Sequence, residues 1–182
     1  MSKMDLMQQW WADQEAVLYP AEQVPKIIEW LGYQTPDTWH QIVLTWNYDF
    51  SLEVLAWILE QENCDRGTAA RVFLVEGVGY WIWDALDDEA RAMDETHVCN
   101  IVLRNWKRYK TSELKHGYDV PKKIIELVSN KSFTGHLAKS PVKEILDYDG
   151  KREANSKYAS EDGKIVIDFD FWVKSKGIEL MN

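Results

Sequence analysis

Wound as a helix, residues 52–61 (Leu-Glu-Val-Leu-Ala-Trp-Ile-Leu-Glu-Gln) are apolar on almost every side. A helix without a wide polar face must be covered on more than one side by others. This one segment predicts a helical body with a central helix. A chain of 182 residues can supply the cover, because a domain of this size buries roughly 70% of its unfolded surface without a disulfide staple.

Helix signals surround that segment. Residues 3–18 carry Leu6, Trp10 and Val17 at helical spacing. Pro25 suits the first turn of a helix over 25–31, with Gly32 as a left-handed C-terminal cap. Thr35-Pro36 reads as cap and first position of the next helix, whose inner side holds Trp39, Ile42, Val43 and Trp46. Ser51 is the expected cap of the central helix. Asp65 is the expected cap of a helix that runs to Glu76 and closes at Gly77. Asp94 is read as the cap of a helix over 95–109, with Val98, Ile101, Val102 and Trp106 inward. Pro121 and Pro141 open two further short helices.

Residues 147–164 are polar and read as a linker or long loop. After them, residues 165–173 alternate with period two, a strand signal with Ile165, Ile167, Phe169, Phe171 and Val173 on one face. The expected fold class is therefore mainly α, a compact multi-helix domain with a short C-terminal β-hairpin or strand. Residues 1–146 form the helical domain, and 147–182 a loop and β element packed on it.

Several functions are disfavoured. The formal charge of −9 is wrong for the bulk electrostatics of a nucleic-acid binder. The most apolar stretch, residues 72–83, is too short to cross a bilayer and holds Glu76. The start has no basic and apolar leader pattern. Cys64 and Cys99 stand alone and His40, His97, His116 and His136 are dispersed, so no zinc spacing appears. Free thiols in a reducing cytoplasm fit that pattern. Gly77-Val78-Gly79 lacks the third glycine of a dinucleotide loop. His40 and His97 read as satisfied or exposed histidines in helices. No cofactor and no catalytic residue is expected. Asp168 and Asp170 on one strand face, or the cluster at 84–89, leave a metal-dependent enzyme as an alternative.

Ten tryptophans are an excess for this length. Most belong in a core, and exposed ones are the residue type that anchors protein interfaces. Charge is uneven too: residues 1–95 carry a net −13 and residues 96–182 a net +4. An acidic half steers a basic partner toward it. Trp81, Trp83, Asp84, Asp87, Asp88 and Glu89 combine aromatic anchors with such charges. They are the candidate partner-binding residues, against the plain reading of a solvated helix start.

Three motifs carry a resemblance: Trp46-Asn47-Tyr48-Asp49, the Val54-Leu55-Ala56-Trp57-Ile58-Leu59 helix, and Asn63-Cys64-Asp65-Arg66-Gly67-Thr68-Ala69. With Leu103-Arg104-Asn105-Trp106 they make residues 38–122 similar to a bacterial family that is itself a domain of unknown function. The resemblance implies a context near polymorphic toxin systems, and no catalytic residues. The expected function is a cytoplasmic immunity protein that neutralises a cognate toxin by stoichiometric occlusion. A self-associating scaffold, with exposed tryptophans forming a homodimer, is a further alternative.

Overall fold

The apolar segment does become the central helix. In a computed structural model of the chain, residues 3–16, 24–46, 48, 51–77, 96–111, 113–120, 122, 126, 141–155, 169, 173 and 176–178 are described. Their helices are α1 (Lys3–Ala16), α2 (Val24–Leu31), α3 (Pro36–Thr45), α4 (Glu53–Glu60), α5 (Arg66–Val72), α6 (Val98–Asn105) and α7 (Val142–Leu146). Helix α4 packs against α2, α5 and α6, while α3 and α6 also pack on α5. Val54, Leu55, Ile58 and Leu59 of α4 are fully buried, as its lack of a polar face requires.

Capping residues set most of the boundaries. Thr35 caps α3 by accepting from the Thr38 N–H, with Pro36 at the first turn. Asp65 caps α5 by accepting from the Gly67 N–H at 2.7 Å. Ser51 Oγ accepts from the Glu53 N–H at the start of α4, although the cap position itself is Leu52.

Three boundaries differ from expectation. Gly32 does not take the left-handed conformation. The end of α2 instead tightens into shorter-range bonds, Tyr33 N–H to the Trp30 carbonyl and Gln34 N–H to the Leu31 carbonyl. Helix α6 starts at Val98, capped by His97 through Cys99 N–H, and not at residue 95. The helix after Asp65 widens into π-type turns over residues 73–77, where Gly77 lies against the Phe73 ring.

Indole N–H groups join the helices. Trp39 donates to the Leu31 carbonyl at 2.8 Å, tying α3 to the end of α2. Trp106 donates to Glu144 at 3.1 Å, tying α6 to α7. Trp39 meets Trp57 edge to face at 5.7 Å.

The predicted C-terminal strand needs correcting at both of its described positions. Phe169 and Val173 are helical and pack on the core. The end is closed by Gly177 at φ +66° and by Ile178 N–H on the Val173 carbonyl, the geometry of a left-handed helix cap. A spacing of four puts two residues on one face of a strand and of a helix alike, so alternation misled here. The other residues of 156–175 lie outside those described. Among the described residues, β pairing is limited to two isolated parallel bridges, Asp65 with Lys110 and Leu114 with Arg152.

Candidate functional site

The predicted partner-binding residues Trp81, Trp83, Asp84, Asp87, Asp88 and Glu89 lie outside the described residues. What the structure presents is an apolar ridge and a polar seam.

The ridge is on α1. Met4, Met7 and Trp11 are 71%, 42% and 53% exposed, and their spacing of three and four puts them on one stripe. Leu6 is buried on another side, and Trp10 turns in toward the core and meets Phe169 edge to face at 5.6 Å. Trp11 leans on Trp10, centroids 4.6 Å apart. Among the seven described tryptophans, Trp30, Trp39, Trp46 and Trp106 are buried and Trp11 is the exposed one. The signal in the sequence was a second apolar stripe on a helix whose first stripe already faced the core.

The seam lies where α3 and α5 meet residues 110–111 and 113–118. His40 is buried, and its Nδ1 pairs with Thr68 Oγ1 at 3.0 Å. The ring also bonds the Lys115 backbone, a contact that favours the protonated ring. That backbone group is therefore the carbonyl, and a ring N–H donates to it. Burial dominates and holds the His40 pKa below the usual histidine value. Of the two readings the sequence left open for His40, satisfied or exposed, the satisfied one holds. Asp65 is buried beside it as the α5 cap.

Leu114 is the anchor of the seam. It is fully buried, and its carbonyl is held between two glycines. A Cβ on Gly67 or on Gly150 would lie 2.1 Å from that oxygen. Gly67 is therefore a site of close approach, and its partner is backbone. Arg71 donates to the Gly117 carbonyl at 2.8 Å and covers the Tyr118 ring at 5.4 Å.

A clasp closes over the seam. Arg152 bonds both oxygens of Asp37 at 2.8 Å, and Asn155 N–H adds a third bond at 2.6 Å. The guanidinium holds the Asp37 carboxyl below its usual range, against the opposing effect of burial. The polar stretch read as a linker thus supplies Arg152 and Asn155 to a contact with α3 and Gly150 to a contact with Leu114.

Reactive chemistry is not prominent in either feature. Both thiols are free and buried, and burial raises their pKa values, which makes poor nucleophiles of them. Among the described residues, no three His, Cys, Asp or Glu side chains gather to hold a metal ion. Also among them, no helix is long and apolar enough to cross a membrane.

The described residues define a mainly helical module. Residues 34–110 match the model of a family described as a domain of unknown function, DUF4274. The matched stretch begins just before α3 and ends at Lys110, twelve residues short of the end of the resemblance read from the motifs. Neither a curated protein nor a solved structure matches the chain.

Proposed function

We propose that this is a protein-binding inhibitor, an immunity protein that neutralises a cognate bacterial toxin by stoichiometric occlusion. The supporting observation is the exposed Met4–Met7–Trp11 ridge, carried by a half of the chain with net charge −13. Flexible methionines beside a tryptophan make an adaptable apolar anchor. Acid groups in that half of the sequence speed encounter with a basic surface. Trp81, Trp83, Asp84, Asp87, Asp88 and Glu89 extend this reading as a second contact of the same chemistry.

The test is a growth assay in bacteria. The protein encoded immediately upstream is expressed with and without this chain, and the pair is then co-purified. Toxicity relieved by this chain, together with a stable complex, supports the reading. A harmless neighbour, or toxicity that this chain does not relieve, removes it. The same ridge could instead receive a second copy of the chain, and light scattering on the purified protein separates that homodimer from a monomer.

A further inference from the structure

We propose that Met4 and Met7 are oxidation sites, and that one oxygen atom on each sulfur turns the α1 ridge from apolar to polar while the fold stays intact. The effect on a bound toxin rests on the inhibitor reading. The place of oxidation and the change of surface do not.

Among the described residues, sulfur occurs at Met4, Met7, Cys64 and Cys99. The two kinds stand in opposite surroundings. Both cysteines are fully buried, and burial raises their pKa values, so the reactive thiolate is scarce. The Cys64 thiol is also turned to the Asp65 carbonyl at 3.7 Å. Met4 and Met7 are exposed, and a thioether has no proton to lose before it reacts. Susceptibility to oxidants follows exposure. An oxidant that meets the folded chain therefore reaches the ridge before it reaches either thiol.

The co-reactant is hydrogen peroxide. Its O–O bond breaks, one oxygen bonds to the methionine sulfur, and the other leaves as water with both protons. The sulfur gives up two electrons and the peroxide takes them. The product is a sulfoxide, polar and chiral where the thioether was flexible and apolar. Met4, Met7 and Trp11 share one stripe of α1, so two sulfoxides leave Trp11 as its one apolar member. A partner with an apolar surface would have to cover the S–O groups without bonding them, which disfavours the contact. The packing of α1 is not touched, because Leu6 is buried on another side and Trp10 meets Phe169 there. Methionine sulfoxide is reduced back by thiol-dependent reductases, so the change of surface is reversible.

The experiment treats the full-length chain with hydrogen peroxide and follows three readouts. Peptide mass mapping should find a gain of about 16 Da, one oxygen, at Met4 and at Met7, before any oxidation of Cys64 or Cys99. Helical circular dichroism and the melting temperature should stay as they were. Retention on a hydrophobic-interaction column should fall, and methionine sulfoxide reductase with a dithiol should restore it. The double variant Met4→Leu, Met7→Leu, compared with itself before and after peroxide, should lose most of that fall in retention. Thiols that oxidise first, a loss of helix on oxidation, or an equal fall in the double variant each overturns the proposal. Toxin binding is read separately. Oxidised wild type should bind the toxin at least tenfold more weakly than untreated wild type, as expected for a damaged interface anchor. Equal affinity overturns the effect on the partner. An untreated chain that binds no toxin removes the inhibitor reading instead, and the mass and retention results still decide the oxidation sites.

Discussion

Arg152 grips both carboxylate oxygens of Asp37 across 115 positions of sequence. The geometry is the fork that guanidinium and carboxylate share. The Asp37 side chain is 17% exposed and that of Arg152 is 41%, so solvent screens the pair in part.

Asp37→Asn should therefore cost about 1–2 kcal/mol in urea unfolding at neutral pH, the range for a partly exposed charge-assisted pair. The Asp37 pKa is depressed in the folded protein. Its contribution is complete above the unfolded carboxyl value, about 4, and is lost as pH falls through the folded value. The stability difference between wild type and Asp37→Asn should shrink over that acid window. A difference that is the same at pH 3 and pH 7 would assign the loss to something other than the charge.

Gly67→Ala reverses the usual sign of a helical glycine substitution. Propensity alone favours alanine by about 1 kcal/mol. Here the new Cβ would lie 2.1 Å from the Leu114 oxygen, and backbone must move. Overpacking of that kind costs about 1–3 kcal/mol, so thermal melting should show net destabilisation. Gly150→Ala meets the same oxygen at the same distance and should behave alike.

His40 gives a second pH dependence. Burial lowers its folded pKa, so the unfolded chain binds the proton more readily. The group's contribution is full above the unfolded value of about 6.5 and declines as pH falls toward the folded value. Nuclear magnetic resonance titration should find His40 taking up its proton below the usual histidine range. Thr68→Val, which removes the partner of Nδ1, should cost about 1–3 kcal/mol, the range for orphaning a buried polar atom.

Trp11→Ser should leave folding stability within about 1 kcal/mol, because the ring is half exposed and loses chiefly its contact with Trp10. Affinity for the toxin partner proposed above should fall at least tenfold in a binding titration, as expected of an interface anchor. Unchanged affinity would move the interface off α1.

Cys64 and Cys99 should resist a thiol reagent in the native protein and react at the rate of unfolding. Both are buried, and burial raises both pKa values.

The helical body was legible because its signals are local. Thr35-Pro36 and Asp65 mark helix starts within a few residues, and the apolar perimeter of α4 states that it is central. The seam was not legible. Arg152 and Asp37 share no period or spacing, since their bond depends on the whole intervening fold. Gly67 stands 47 positions from the Leu114 backbone it meets, so no local pattern names that partner. The C-terminal alternation failed for a different reason: Phe169 and Val173 satisfy two periodicities at once, and the deciding mark was Gly177, four residues later.

The clasp also sets a schedule for synthesis. Ribosomes add on the order of 5–20 residues per second. Asp37 therefore exists for on the order of ten seconds before Arg152 has been made, and Gly67 waits almost as long for Gly150. Throughout that interval every nascent copy carries the Asp37 carboxylate without its cation. The new chain passes its first seconds as an unlatched molecule, open at the place where the finished one is shut.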